Sequence, residues 1–240
     1  MNGEIALQNI RKSYPTDDGI LTVLEDLALT LPRSGITVVL GKSGCGKTTL
    51  LRLVGGLDTD YEGTITYPKN AKTGIVFQEP RLMPWLSVRK NIAFGQKRDE
   101  IDHARIQTLI EQVGLTGFEN AKPHQLSGGM EQRTAIARAL AVEPDFLLMD
   151  EPFAALDYFT RGTMQQLLLD IHRRNSCGVL FITHSIEEAL TLGDRIVILK
   201  DRRIVKTYTL SDKPKVPDPS ASERMELRED ILRNIADPTG

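Results

Sequence analysis

Short runs of apolar residues alternate along this chain with longer stretches in which apolar residues recur every three or four positions. The short runs predict buried β-strands, and the longer period predicts helices that bury one face. Strands that alternate with helices in this way are typical of an α/β protein. The predicted strands lie within 35–41, 73–78, 145–152 and 178–185, and the predicted helices lie within 47–57, 99–114, 128–141 and 157–175.

The pattern changes toward the C-terminus. A Ser-x-x-Glu pattern at 185–188 predicts a capping box, and with it the start of a further helix. Residues 195–208 predict a β-hairpin, and residues 211–222, rich in Pro, Ser and Asp, predict a connector. A final helix is predicted at 223–240, with an apolar face formed by Leu227, Ile231 and Ile235.

Composition narrows the function only a little. The 240 residues are 40% hydrophobic and 26% charged with a formal net charge of −2, so the overall charge does not indicate nucleic-acid binding. The two cysteines, Cys45 and Cys177, lack metal-site spacing, which favours a reduced intracellular protein. No apolar run suffices for a signal peptide or for the ~20 residues of a membrane helix. If the protein acts at a membrane, we expect it to do so through a partner.

A phosphate-binding pattern follows the first predicted strand. GKSGCGKT, residues 41–48, matches GxxxxGK[ST] and lies between a predicted strand and a predicted helix, as the pattern requires. We expect Lys47 to reach the terminal phosphates of a nucleotide and the Thr48 hydroxyl to ligate Mg²⁺. Cys45 either contributes only its backbone or is a redox-sensitive thiol at a helix N-terminus. The predicted nucleotide-binding residues here are Gly41, Lys42, Ser43, Gly44, Cys45, Gly46, Lys47, Thr48 and Thr49.

Two acidic residues end a later apolar run. In FLLMDEP, four apolar residues precede Asp150 and Glu151. P-loop nucleotidases hold Mg²⁺ partly through an acidic residue at the end of a neighbouring strand, and Asp150 fits that position. Glu151, one residue further, is expected to face the water that attacks the γ-phosphate. Taken without the phosphate loop, the same pair would be compatible with a simple strand end.

The stretch LSGGMEQR, residues 126–133, places two glycines at a helix start, although each costs a helix about 1 kcal/mol relative to alanine. Together with GKSGCGKT, Gln78, LLMDEP, Ala155-Leu156-Asp157 and His184, this stretch resembles the ATP-binding cassette ATPases over about 14–199. The resemblance implies that the stretch closes over ATP bound to the opposite subunit. Ser127 would cap the helix, and the N–H groups of Gly128 and Gly129 would approach the γ-phosphate. Met130 replaces the family's usual Gln, which leaves these phosphate contacts intact.

The resemblance implies roles for four more residues. Tyr14 is similar to the aromatic residue that stacks on adenine, although a core or surface tyrosine is the alternative. Gln78 is similar to the glutamine that joins Mg²⁺ and the attacking water, and Asp157 to the residue that pairs across the dimer. His184 is similar to the histidine that contacts the γ-phosphate and orients the attacking water. The next residue is Ser185 instead of the family's usual Asp, and both are good N-caps.

By this resemblance we expect a P-loop NTPase with a RecA-like core, an antiparallel β subdomain and a helical signature subdomain at about 80–142, all within 1–210. We expect MgATP hydrolysis at two composite sites in an ATP-dependent dimer of two copies of the chain. The expected catalytic residues are Glu151, His184, Gln78 and Lys47, and the expected metal ligands are Thr48, Gln78 and Asp150.

Three interpretations of the function are open at this point. The chain is a transporter subunit, a soluble cassette protein of translation or DNA repair, or an unrelated P-loop kinase or GTPase. The signature stretch and His184 argue against the last. A soluble cassette protein usually has two cassettes or a coiled-coil arm, and the roughly fifty residues between Gln78 and Ser127 are too few for an arm. The apolar residues just after Gln78 are expected to contact a membrane subunit, or else to be core: Leu82, Met83, Trp85 and Leu86.

The segment EPFAALD resembles importer cassettes in general. The segments QEPRLMPW and MELREDILRNI are most similar to the cassettes of importers of nitrate, sulfonate, taurine and bicarbonate. The cassettes of importers of a thiamine-pyrimidine precursor are similar in these segments as well. The resemblance implies a membrane permease subunit, an indirectly associated solute-binding protein, no nucleic acid, and a peripheral location at the cytoplasmic face of the plasma membrane. The sequence does not identify the transported solute, because in such importers the solute never contacts this subunit.

Overall fold

The computed structural model describes residues 3–97, 99, 101–175, 177–210 and 221–236. The chain divides into two compact units, one formed by Met1–Asn70 with Gly178–Gly240 and the other by Ala71–Cys177. The first unit is therefore assembled from both ends of the chain, whereas the second is one continuous segment. In the described ranges, no helix combines the length and the hydropathy needed to cross a membrane.

The first unit begins with an antiparallel sheet. Strand β1 (Glu4–Thr16) pairs on one side with β2 (Gly19–Pro32) and on the other with β4 (Glu62–Thr66). The resemblance implied such a sheet, but the hydrophobic pattern did not reveal its strands. The reason is a set of register shifts, the first between Leu7 and Ile10, which break the strict alternation of buried and exposed positions.

Parallel strands form the other sheet region of this unit. Strand β3 (Ile36–Leu40) lies between β7 (Gly178–Thr183) and β8 (Arg195–Lys200) and runs parallel to both, and β9 (Arg203–Thr209) is antiparallel to β8. Every residue of β3 and β7 is buried. Strands covered on both faces appear in a sequence as uninterrupted apolar runs, so these two were predictable. The predicted hairpin is β8 with β9.

Helix α1 (Lys47–Val54) follows the phosphate loop and buries the apolar residues of its predicted inner face. Helix α6 (Ile186–Leu192) begins at Ser185, whose Oγ accepts a hydrogen bond from the Glu188 N–H at 3.3 Å. The predicted capping box is wrong in its second half. The Glu188 carboxylate accepts from the Thr183 hydroxyl, and the Ser185 N–H donates to Thr183 Oγ1 at 3.0 Å. A buried threonine at the end of β7 thus replaces the direct contact.

Helix α7 (Ala221–Ile235) is the last described element. It begins two residues before the predicted 223, and the rest of the predicted connector lies outside the described residues. Ile231 is fully buried, and the other two residues of the predicted apolar face are half-buried. Tyr208 of β9 donates a hydrogen bond of 2.7 Å to Asp230, which holds α7 on the sheet.

The second unit combines two parallel strands with helices. Strands β5 (Thr73–Val76) and β6 (Phe146–Asp150) pair in parallel. A Cβ at Gly74 would lie 2.5 Å from the Ala139 carbonyl oxygen, so β5 packs tightly against a helix backbone. The helical subdomain stays a prediction at 80–142, inside this larger unit. The helices are α2 (Val88–Ile92), α3 (His103–Gln112), α4 (Gly128–Leu140) and α5 (Tyr158–Asn175).

Candidate functional site

The predicted phosphate loop connects β3 to α1 and depends on its glycines. Gly46, the residue before α1, has a φ of 106°, and a Cβ there would lie 2.8 Å from Leu24 Cδ2. A Cβ on Gly41 would lie 2.3 Å from the Leu199 carbonyl oxygen and 2.6 Å from Cys45 Sγ. Only glycine fits either position without backbone movement. The Cys45 sulfur therefore packs against Gly41, on the inside of the loop.

Lys47 lies within the loop and holds it together. Its side chain is 4% exposed, and Nζ donates hydrogen bonds of 3.0 Å to the carbonyl oxygens of both Gly41 and Lys42. The loop thus closes around an ammonium group at the N-terminus of α1. A positive charge and a helix N-terminus at one place are the two features that attract phosphate. Ser43, Gly44 and Thr48 are exposed around it, and Thr49 is half-buried.

A cavity of about 360 Å³ borders this loop. Its volume falls within the range of small-molecule sites. The basic residues Lys42, Lys200 and Arg202 contribute to its wall, which favours an anionic ligand. Tyr14 does not line the cavity, but Leu21, its pairing partner in β2, does. The remaining lining residues are Thr22, Val23, Ser43, Gly44, Cys45, Leu199, Asp201 and Ile235.

His184 lies beside the phosphate loop. It directly follows β7 and is exposed. The parallel register places Thr183 opposite Leu40, so His184 and Gly41 leave neighbouring strands at the same edge of the sheet. The first unit therefore brings together the loop and the predicted histidine.

The second unit brings together the predicted acidic residues and Gln78. Val76 of β5 lies opposite Met149 of β6, so Gln78 lies just beyond the end of one strand and the Asp150-Glu151 pair lies at the end of its neighbour. Asp150 is buried, whereas Glu151 is half-buried and Gln78 is exposed.

Glu151 has a strained backbone. Its φ is 43°, in the left-handed region that non-glycine residues rarely adopt, and it directly precedes Pro152. Such a conformation costs about 1–3 kcal/mol and is concentrated at functional sites. The strain sets the direction in which the Glu151 carboxylate leaves the strand, which the sequence pattern did not reveal.

The signature stretch begins α4 as predicted. Ser127 is the N-cap, and its Oγ accepts a hydrogen bond from the Met130 N–H at 3.3 Å. Neither signature glycine has a positive φ. A Cβ on Gly129 would lie 2.9 Å from Thr160 Cγ2, so packing against Thr160 favours glycine at this position. The sequence pattern did not predict this contact. A Cβ on Gly128 would meet nothing within 4 Å among the described residues, so packing does not explain it.

Asp157 caps α5. Its Oδ1 accepts hydrogen bonds from the N–H groups of Phe159 at 3.0 Å and Thr160 at 3.1 Å. The hydrogen bonds from Thr160 hold the pKa of Asp157 below its usual value against the opposing effect of desolvation, and the Phe159 N–H adds to the lowering. For Asp157 the resemblance implied only a contact across a dimer, and the sequence pattern did not predict this N-cap. The adjacent aromatic residues Tyr158 and Phe159 are both highly exposed.

The segment after Gln78 is held by a buried asparagine. Asn91 Oδ1 accepts from the Met83 N–H at 2.8 Å, and Nδ2 lies within 3.0–3.2 Å of the carbonyl oxygens of Met83, Leu86 and Ser87. Trp85, at the centre of this segment, is 68% exposed. The alternative that Trp85 belongs to the core is therefore wrong. The role of Asn91 could not be predicted from the sequence, because a single polar residue in a short helix does not reveal that it is buried or which groups it bonds.

The donor types fit Mg²⁺ bound together with a nucleotide. In the described part of the chain, no group of three or more His, Cys, Asp or Glu side chains is arranged to hold a metal. Mg²⁺ in nucleotide enzymes usually needs only one or two carboxylates plus substrate phosphates. Oxygen donors of this kind are present in each unit, Thr48 in one and Gln78 and Asp150 in the other.

Comparison with known proteins agrees with the site. The ABC transporter family model matches residues 24–154, a range that includes the phosphate loop, the signature stretch and the Asp150-Glu151 pair. The chain is 48% identical over 189 residues to an aliphatic sulfonates import ATP-binding protein of Pseudomonas syringae pv. tomato, covering 79% of this chain and 81% of the relative. It is 40% identical over 240 residues to an aliphatic sulfonates import ATP-binding protein of Bacillus cereus, covering 96% and 95%.

A solved structure gives the same answer for the fold. An ATP-binding cassette dimer in a post-hydrolysis state, bound to ADP and Pi, superposes with a TM-score of 0.77 at 31% identity and covers 86% of this chain and 98% of the cassette. The predicted α/β cassette fold is confirmed. The chain therefore belongs to the ABC transporter family and is an ATP-binding cassette ATPase.

Proposed function

We propose that this chain binds and hydrolyses ATP, as its magnesium complex, to energise import of a small solute of the aliphatic sulfonate, nitrate or taurine type. The phosphate loop around Lys47, with His184 at the same edge of the sheet, supports the ATPase chemistry. The solute class is carried by one observation, the identity of 40–48% to aliphatic sulfonate import proteins. The thiamine-pyrimidine precursor is the other solute suggested by the resemblance.

In this proposal the Lys47 ammonium group gives up its hydrogen bonds to the two loop carbonyl oxygens and donates instead to the terminal phosphates of ATP. Thr48, Gln78 and Asp150 are the predicted ligands of Mg²⁺, which would supply positive charge at the phosphate oxygens. Glu151 accepts a proton from the attacking water, a role worth about 10²–10⁴ in rate. His184 contacts the γ-phosphate and orients that water.

A second copy of the chain completes each site. The N–H groups of Gly128 and Gly129, at the start of α4, approach the γ-phosphate held by the other copy. Two observations support this: Gly128 has neither a strained backbone nor a neighbour to explain it, and the related cassette was solved as a dimer. Asp157 of each copy lies at the dimer contact while its Oδ1 caps α5. ATP then favours the closed dimer, because these contacts exist only when it is closed.

The segment at 82–86, in which Pro84 and Trp85 are exposed and the other three residues are half-buried, is where a membrane permease subunit docks. The Asn91 hydrogen bonds hold this segment in place and present Trp85 to a partner. An exposed aromatic side chain on a fixed loop is a suitable contact for an apolar partner surface. The chain is then peripheral, at the cytoplasmic face of the plasma membrane, and meets the solute-binding protein only through the permease.

The test is purification of the tagged chain from gently solubilised membranes of its native host, with Trp85→Ala as a matched variant. We expect a multi-span partner and a solute-binding protein to co-purify with the wild type and to be reduced with Trp85→Ala. Ligand binding to the solute-binding protein, measured with an alkanesulfonate, nitrate, taurine and the pyrimidine precursor, identifies the solute. Recovery with ribosomes, DNA or soluble proteins alone would overturn the transport proposal.

A further inference from the structure

A buried lysine lies directly behind Tyr14. Lys12 is 3% exposed, and its Nζ donates hydrogen bonds to Asp58 Oδ1 at 3.0 Å and to Asp60 Oδ2 at 3.3 Å, and also to the Asp60 carbonyl oxygen. The same Nζ lies over the Tyr14 ring, 4.6 Å from its centroid. One ammonium group therefore contacts an aromatic face and two acidic residues.

Asp58 holds both the lysine and the tyrosine. Its Oδ2 accepts the Tyr14 hydroxyl at 3.0 Å, while Oδ1 accepts Lys12 and the Asp60 N–H at 3.1 Å. Although burial opposes ionisation, the hydrogen bonds from Lys12, Asp60 and Tyr14 lower the pKa of Asp58 below its usual value. The ring of Tyr14 is thus fixed at its tip by a charged carboxylate and covered on one face by a cation.

This cluster connects the Tyr14 ring to the phosphate loop. Asp58 comes shortly after α1, and its N–H bonds back to the Arg52 carbonyl oxygen of that helix at 3.3 Å. The phosphate loop begins the same helix at Lys47. The position of the ring relative to the loop is therefore set through one short helix.

Stability alone gives little reason for such a cluster. A buried ion pair is often no more stabilising than apolar residues of similar volume. The cation and the carboxylate instead hold the ring in one orientation, because Lys12 lies over its face and Asp58 accepts its hydroxyl. A ring that is already held in one orientation loses less conformational freedom when a purine base stacks on it.

We infer that Lys12 and Asp58 are positioning residues, which fix Tyr14 as a platform for the purine base of the nucleotide. This inference rests on the proposed function, since it requires that ATP binds at the adjacent phosphate loop. Tyr14 contacts the base, whereas Lys12 and Asp58 act through Tyr14. The cluster strengthens binding of the base and leaves the binding of phosphates unaffected.

The chain contains a matched control. Lys206, Tyr208 and Asp230 repeat the same arrangement on β9 and α7: a lysine two residues before a tyrosine, 5.5 Å from its ring centroid, with the tyrosine hydroxyl bonded to an aspartate at 2.7 Å. The aspartate of this second cluster belongs to α7, whereas Asp58 of the first cluster is bonded to α1, the helix that follows the phosphate loop.

The experiment compares two ligands by titration calorimetry in the presence of Mg²⁺: ATP, and tripolyphosphate, which has the phosphates but no base. Tyr14→Phe keeps the ring and the ion pair but removes the hydroxyl that fixes it. We expect its ATP affinity to fall by about 2- to 10-fold, the usual cost of ordering one loosened side chain, with tripolyphosphate affinity unchanged. Lys12→Met is expected to have the same selective effect, and Tyr208→Phe and Lys206→Met are expected to change neither affinity.

Equal changes for ATP and tripolyphosphate, or no change for ATP in Tyr14→Phe, would overturn the inference. Lys12→Met leaves two acidic residues without their cation, so its fold is checked by circular dichroism, while Tyr14→Phe keeps the test decisive if Lys12→Met fails to fold. Failure of the proposed function looks different. In that case the wild type binds neither ligand, or Lys47→Ala binds both as well as the wild type does.

Discussion

Replacement of Asn91 tests how the segment after Gln78 is held in place. The side chain is fully buried and bonds to the backbone of three residues in that segment. Asn91→Ala removes all of these hydrogen bonds at once. Asn91→Asp is the isosteric variant, and it keeps the acceptor for the Met83 N–H but turns a second oxygen toward carbonyl groups.

The size of the effect follows from the donors available. One amide oxygen and two amide protons allow about three full hydrogen bonds, each contributing about 0.5–1.5 kcal/mol. Asn91→Ala should therefore lower the free energy of unfolding by about 2–4 kcal/mol. For a chain of this size that corresponds to a fall in melting temperature of about 5–15 °C. Asn91→Asp should be at least as destabilising at neutral pH, because it replaces donors with an acceptor.

Differential scanning calorimetry measures both variants against Trp85→Ala. Since Trp85 is largely exposed, its replacement should change the free energy of unfolding by no more than about 0.5 kcal/mol. A melting temperature for Asn91→Ala within 2 °C of the wild type, or an equal fall for Trp85→Ala, would refute this reasoning.

Three further predictions concern the chemistry, the loop and the last helix. Glu151→Gln should bind ATP but hydrolyse it about 10²–10⁴ times more slowly and accumulate as a dimer in size-exclusion chromatography with ATP, whereas unimpaired turnover would contradict its role. Gly41→Ala should abolish ATP binding in calorimetric titration and cost about 1–3 kcal/mol of stability, since its Cβ would collide with the Leu199 carbonyl oxygen; normal binding would contradict this. The hydrogen bond from Tyr208 lowers the pKa of Asp230, so the stability this bond gives to α7 is present above pH ~4 and lost as the pH falls through the lowered pKa. Hydrogen exchange in α7 should accordingly rise on acidification in the wild type and depend less on pH in Tyr208→Phe, and equal pH dependence would contradict the assignment.

Much of the parallel sheet was predictable because its strands are buried on both faces. GITVVLG and GVLFITHS appear as continuous apolar runs, and β3 and β7 are buried throughout. The long antiparallel strands β1 and β2 were not predicted from the hydrophobic pattern. Their register shifts break the alternation on which such a prediction depends.

The candidate site likewise has features that could be predicted from the sequence and features that could not. A phosphate loop and a helix N-cap each depend on a few consecutive residues. The phosphate loop and the Ser127 N-cap could therefore be predicted from short stretches of sequence. The strained φ of Glu151 and the contact of Gly129 with Thr160 depend on residues brought together by folding. The Lys12–Asp58 contact joins residues 46 apart in the sequence, and the hydrophobic pattern carries no trace of it.

The most direct test of the central claim is ATP-dependent uptake of a labelled alkanesulfonate into membrane vesicles containing the co-purified permease, supplied with the solute-binding protein. We expect uptake with the wild-type chain and none with Glu151→Gln, although both bind ATP. Equal uptake with the two chains would contradict the claim that ATP hydrolysis by this protein drives solute import.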